Sequence, residues 1–198
     1  MTTQQELIDT AKRITSYVHQ TPVLTSESID EIFGAGIHLK CENFQKMGAF
    51  KMRGATNAIL SLSARERELG VVTHSSGNFA QAVALAANKT GTKATIVMPS
   101  SAPEIKKKAV LGYGATVIDC APTQQAREQA AAKVQEETGS VFLHPSNQIE
   151  VINGNATAAM ELLGQVDNLD AIFTPVGGGG LLAGTALAAF RFRKQVSI

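Results

Sequence analysis

Three short segments of this chain carry residue types that could do chemistry together. The first is Glu42-Asn43-Phe44-Gln45-Lys46-Met47-Gly48-Ala49-Phe50-Lys51-Met52-Arg53-Gly54-Ala55, in which Lys51 follows an aromatic residue at the entry to a helical pattern. A cation gains nothing from the macrodipole there, since positive charge is favoured at the other helix end. A lysine aimed into a site lined by an aromatic ring and by helix N-termini can lose its proton near neutral pH and form an imine. The second segment is His74-Ser75-Ser76-Gly77-Asn78-Phe79-Ala80-Gln81-Ala82, between a strand and a helix. Its small hydroxyl residues, glycine and asparagine offer backbone N–H groups and side-chain donors to an anion such as a carboxylate. Taken alone it is also what an ordinary N-cap with a tight turn looks like. The third is Pro175-Val176-Gly177-Gly178-Gly179-Gly180-Leu181-Leu182-Ala183-Gly184. Four glycines before a helix let the backbone approach a phosphate closely, at a cost in chain entropy that a structural turn rarely needs.

Gly178, Gly180 and Ala183 fit the relaxed dinucleotide pattern. That pattern also expects the loop in the first strand-helix turn and an acidic residue about 20 positions later, which this chain does not supply. There is no P-loop motif, and no His-Glu-x-x-His pair or cysteine cluster to suggest a metal site. Pyridoxal phosphate needs an imine-forming lysine and a phosphate cradle, and its amino-acid substrates need a carboxylate site. The chain has a candidate for each.

The elements that must position these segments follow a regular alternation. Leu7, Ile8, Ala11, Ile14 and Val18 recur at helical spacing and predict a first helix ending near Thr21-Pro22. After a polar turn, Ile37 to Lys40 alternates like a strand, and Met52 to Leu62 reads as helix. Ser63 to Glu66 has the spacing of a capping box. Strands are expected at Gly70 to Thr73, Ala94 to Met98, Ala115 to Ile118, Ser140 to Leu143 and Ala171 to Pro175. Helices are expected at Asn78 to Asn88, Pro103 to Leu111, Gln124 to Glu137, Ile149 to Leu163 and Leu181 to Phe190. Such alternation predicts an α/β fold with parallel-type sheets flanked by helices.

Composition narrows the setting. The 198 residues are 44% hydrophobic and 18% charged, which suits one large or two small domains with an ordinary core. A net charge of +1 and the lack of a dense basic stripe argue against nucleic acid, and Lys106-Lys107-Lys108 reads as a solvated helix face. The stretch Met1 to Glu6 does not read as a secretion signal, and no window has the length of a membrane span. Cys41 and Cys120, far apart, read as buried thiols. The cytoplasm is the expected compartment.

At the three segments quoted above the chain resembles the fold type II pyridoxal-phosphate-dependent enzymes, in particular the serine racemase and serine/threonine dehydratase group. The segments stand in the family's order, and the likeness spans nearly the whole chain. It implies a tryptophan synthase β-like architecture of two lobes, residues 1–68 with 148–198 and residues 69–147, with pyridoxal 5'-phosphate as cofactor. By resemblance Lys51 forms the imine and moves the α-proton, Phe50 packs on the ring, and Asn78 hydrogen-bonds its phenolic oxygen. Ser75, Ser76, Gly77, Asn78 and Phe79 hold the substrate carboxylate, while Gly177, Gly178, Gly179 and Gly180 bind the phosphate. Ser76 is where racemases carry a serine as the acid/base of the opposite face, and where enzymes that only eliminate water often carry alanine. Two departures stand out. Phe79 replaces the family's usual histidine, and the remaining large-lobe strands, the divalent cation ligands and the residue facing the pyridine nitrogen would lie beyond Ile198. The last helical pattern stops at Arg191-Phe192-Arg193-Lys194, so a C-terminal part is expected to be missing and the large lobe incomplete.

The expected function is dehydration with deamination, and racemisation, of small hydroxy-amino acids such as serine or threonine, by a homo-oligomer without nucleic-acid or membrane partners. Two rivals stay open. The chain is an inactive remnant or incomplete subunit of that family, or it is a nucleotide-binding or ligand-sensing module in which Lys51 is dispensable.

Overall fold

The computed structural model describes residues 2–193 and 195–198; Met1 and Lys194, cited above in the N-terminal stretch and the final basic run, lie outside them. Helix α1 (Gln4–Ile14) opens on a capping box between Thr3 and Glu6 and buries Leu7, Thr10 and Ile14. It stops well before Pro22, because Thr15 to Tyr17 turn away from the helix. The segment read as a polar turn holds a short strand β1 (Val23–Leu24) and a helix α2 (Glu27–Phe33), which ends on Gly34 in the left-handed conformation. Strand β2 (Leu39–Lys40) pairs with β1 antiparallel, so this part of the chain has no parallel pairing of named strands.

Helix α3 (Lys51–Leu60) begins on the lysine itself, and α4 (Ala64–Leu69) begins on the Ser63/Glu66 capping box expected from the sequence. From there the alternation is regular: β3 (Val71–His74), α5 (Asn78–Thr90), β4 (Ala94–Pro99), α6 (Glu104–Gly112), β5 (Thr116–Cys120), α7 (Gln124–Thr138) and β6 (Val141–Phe142). The four strands form one parallel sheet in the order β5-β4-β3-β6. Its two faces alternate as the pleat requires. Val71, Ile96 and Met98 pack with α3 and α5, while Val72 and Val97 pack with Ala131 and Val134 of α7.

Two long helices complete the fold, α8 (Ile149–Gln165) and α9 (Gly180–Phe192). The expected strand at Ala171 to Pro175 is absent. Only Ala171 forms an isolated parallel bridge, to Ser197, and Phe173 is 94% exposed. An apolar strand pattern becomes a strand only beside a partner with free N–H and C=O groups, and here that partnership extends to a single bridge.

Helix α8 is the spine against which α1, α3 and α9 pack. Close crossing depends on bare backbone: a Cβ on Gly154 would lie 2.5 Å from the Arg53 carbonyl oxygen, and one on Gly184 2.8 Å from the Ile152 carbonyl oxygen. The first contact brings α8 against α3, the second brings α9 against α8. Hence the helix that carries Lys51 and the helix that opens on the four glycines are clamped to one rod. Among the described residues no helix is long and apolar enough to cross a membrane.

Candidate active site

Lys51 stands at the first position of α3 with its side chain half-buried. Its Nζ donates to the Pro145 carbonyl at 2.7 Å. The same nitrogen lies 5.2 Å from the centroid of the Phe50 ring and 5.6 Å from that of Phe79. Among the described residues it has no carboxylate partner. Burial therefore acts without a counter-charge and holds the ammonium below the usual lysine range. A lysine so placed gives up its proton more readily than a surface lysine.

The loop after β3 leads into α5. Ser75 donates its backbone N–H to the Val97 carbonyl, which carries the sheet ladder up to the loop. Its Oγ accepts from the Gly77 N–H at 3.3 Å. Ser76 makes no side-chain hydrogen bond among the described residues, so its hydroxyl is uncommitted. Gly77 caps α5 without a side-chain acceptor, leaving the first N–H groups of Asn78 and Phe79 to whatever binds there. Phe79 is buried and faces Lys51, so the aromatic residue at this position closes the apolar side of the lysine pocket.

The glycine loop meets the Lys51 segment through a fourth one that the sequence did not single out, His144-Pro145-Ser146-Asn147. A Cβ on Gly178 would collide with Ser146 Oγ, and one on Gly180 would lie 3.0 Å from the Ser146 Cα and carbonyl oxygen. Gly177 and Gly179 would meet nothing on their open sides, and Gly179 has φ 81°, which only glycine adopts freely. Helix α9 starts without a side-chain acceptor at its cap. One wall of the loop is thus packed on Ser146 while the other is bare N–H and open space. Bare N–H groups at a helix start favour an anion such as a phosphate group. The residues present fit pyridoxal phosphate.

Below Lys51 lies a cluster of charge that sequence reading also missed. Arg53 is fully buried and forks onto Glu42 (2.8 Å twice) and Glu161 (2.6 and 2.8 Å). Lys40 Nζ reaches Glu161 at 2.7 Å and the Thr21 carbonyl at 2.8 Å. Burial works to raise the Glu161 carboxyl, but the hydrogen bonds and charge of Arg53, then of Lys40, hold it below the usual carboxylate range. Two cations and two anions balance within the cluster, and they tie α3 to α8 two residues from Lys51.

A further histidine borders the β3 loop: His74 stacks on Phe142 at 5.3 Å, and burial, then the Arg127 charge, push its imidazole down. Cys41 and Cys120 are both free. Among the described residues no group of three or more His, Cys, Asp or Glu side chains is placed to hold a metal.

Residues 14–197 match the family model described as pyridoxal-phosphate dependent enzyme. The chain belongs to that family. It is 47% identical over 196 residues to serine racemase from Dictyostelium discoideum, covering 99% of this chain and 60% of that protein. The crystal structure of the Dictyostelium enzyme superposes with a TM-score of 0.95 over 98% of this chain and 63% of its own. An L-threo-3-hydroxyaspartate ammonia-lyase from Saccharomyces cerevisiae is 48% identical over 187 residues, covering 94% of this chain and 57% of that protein. The solved structure of maize serine racemase is 45% identical, with a TM-score of 0.96 over 98% of this chain and 60% of its own. The chain spans about 60% of the length of such relatives. These likenesses bear out the α/β, fold type II class and the cofactor, and they favour the pyridoxal-phosphate reading over a nucleotide-binding module.

Proposed function

We propose that this chain acts on small hydroxy-amino acids such as serine or threonine, removing the α-proton and then either expelling the β-hydroxyl or returning the proton from the other side. The observation that carries the proposal is a half-buried, carboxylate-free Lys51 amine beside a loop that packs against a four-glycine cradle. Pyridoxal phosphate, when bound, supplies an electrophilic carbon for amines and a ring that accepts the electron pair left on the α-carbon.

The protein's own residues do the rest. Gly177, Gly178, Gly179 and Gly180 hold the phosphate through backbone N–H groups at the start of α9, and Asn78 and Phe50 seat the ring. Ser75, Ser76 and the N–H groups from Gly77 to Phe79 orient the substrate carboxylate, which fixes the α-carbon over Lys51. Lys51 Nζ, whose hold on its own proton burial weakens, takes the α-proton. Loss of the β-hydroxyl as water leaves an enamine that hydrolyses to a 2-oxo acid and ammonia. Return of a proton from the Ser76 hydroxyl to the opposite face inverts the α-carbon instead. Phe79, an aromatic where a polar side chain could have stood, excludes water from the lysine.

The lobe boundaries we propose are residues 69–147 for the part built on the parallel sheet and residues 1–68 with 148–198 for the part holding Lys51 and the glycine loop. Exposed apolar side chains at Ile32, Phe33 and Phe173 support association into a homo-oligomer. A cytoplasmic setting suits two unpaired thiols.

The test is to titrate the purified protein with pyridoxal phosphate, record the visible band, and repeat with Lys51→Ala, sedimenting the same samples. We expect a band that Lys51→Ala abolishes, 2-oxo acid release from L-serine or L-threonine, and a sedimentation coefficient above that of a monomer. A wild-type protein with no such band overturns the proposal.

A further inference from the structure

The His144-Pro145-Ser146-Asn147 turn touches both the lysine and the glycine cradle, and its shape rests on an imidazole. His144 Nδ1 accepts from the backbone N–H of Ser146 at 3.1 Å and of Asn147 at 2.7 Å. Accepting two N–H groups requires the Nδ1 lone pair, which places the ring proton on Nε2. The His144 backbone N–H in turn donates to Gln148 Oε1 at 3.0 Å, and Gln148 is the cap residue of α8. Pro145 has no N–H of its own to brace the turn. The ring edge packs on Phe142 at 6.3 Å.

We propose that His144 is a positioning residue that sets the active site through this turn, an inference that rests on reading Lys51 and the glycine loop as the cofactor site. By gathering the Ser146 and Asn147 N–H groups onto one nitrogen, it turns the Pro145 carbonyl toward Lys51 Nζ. The same gathering presses Ser146 against Gly178 and Gly180. One side chain thereby fixes the lysine amine and one wall of the phosphate cradle, although its contacts are with the turn and not with Lys51 or the glycines. Without the acceptor, two backbone N–H groups lose their partner and the turn relaxes, so the amine and the cradle lose their relative position.

Two variants separate the acceptor from the ring. His144→Asn keeps an acceptor oxygen at the position of Nδ1 and discards the ring; His144→Phe keeps the ring contact with Phe142 and discards the acceptor. Amide hydrogen exchange at Ser146 and Asn147, read by NMR on protein free of cofactor, tests the turn directly. We expect wild-type rates in His144→Asn and rates about tenfold faster in His144→Phe, the equivalent of one lost hydrogen bond. In titrations with pyridoxal phosphate, the dissociation constant from the visible band should rise about tenfold in His144→Phe and stay within about threefold in His144→Asn. Unchanged exchange in His144→Phe overturns the inference. So does a His144→Asn variant with exchange and affinity as impaired as expected for loss of the acceptor, a result that stands even if His144→Phe does not fold. A wild-type protein without a visible band would sink the cofactor reading, while the exchange rates would still decide what His144 does to the turn.

Discussion

Replacing Arg53 with leucine should cost this protein about 3 kcal/mol of stability at pH 7. The guanidinium is wholly buried and makes six hydrogen bonds: four to the carboxylates of Glu42 and Glu161, one to Thr157 Oγ1 and one to the His19 carbonyl. Leucine fills much of the volume but leaves both carboxylates without their main counter-charge. Removing one partner of a buried ion pair costs about 3–5 kcal/mol. The lower end applies because Glu42 and Glu161 retain 16% and 20% side-chain exposure, and Lys40 and Thr21 still reach them. For a chain of this size the loss corresponds to a fall of about 6–12 °C in Tm.

Urea unfolding of wild type, Arg53→Leu and Arg53→Lys is the assay, with lysine intermediate because a single ammonium cannot fork onto two carboxylates. The pH dependence has a definite sign. Glu161 is held below its usual value in the folded state, so its contribution is present above the unfolded value of ~4.3 and is lost as pH falls through the lowered folded value. Arg53→Leu removes most of that contribution, and the gap to wild type should therefore narrow below about pH 4. A gap under ~1 kcal/mol at pH 7, or one of equal size at pH 7 and at ~3.5, would refute the claim that this cluster anchors α3.

Gly178→Ala should destabilise by about 1–3 kcal/mol because its Cβ runs into Ser146, whereas Gly177→Ala, facing open space, should stay within ~0.5 kcal/mol. Adding Ser146→Gly should recover most of the Gly178→Ala loss; equal urea midpoints for the two single variants would contradict the packing described. Lys51→Met should be more stable than wild type near neutral pH, since Lys51 is depressed by burial and the unfolded chain binds its proton more tightly. That advantage should shrink as pH rises from the lowered folded value toward ~10.4, and a difference that does not change with pH would show that burial does not tune this amine.

The sequence by itself determined which segments could do chemistry: a lysine at a helix entry, a hydroxyl-rich helix start and a run of four glycines are local patterns whose meaning lies in backbone geometry, and each stands at the helix start where its pattern put it. It also determined the strand-helix alternation from Val71 to Phe142, because a parallel sheet covered on both faces writes itself as regular apolar runs. It misjudged Ala171 to Pro175, whose apolar pattern is that of a strand but whose pairing is one bridge to Ser197, and it passed over the pairing of Val23–Leu24 with Leu39–Lys40 and the helix between them. Only the tertiary structure decided how the segments meet. Arg53 reaches Glu161 across 108 positions, and Lys51 reaches the Pro145 carbonyl across 94. Neither contact has a local signal, since a lone histidine, proline or glutamate looks the same in a loop or on a surface. The turn held by His144 and the close crossings at Gly154 and Gly184 exist because backbone groups distant in sequence were brought within hydrogen-bonding and van der Waals reach. That is a property of packing, and no residue spacing encodes it.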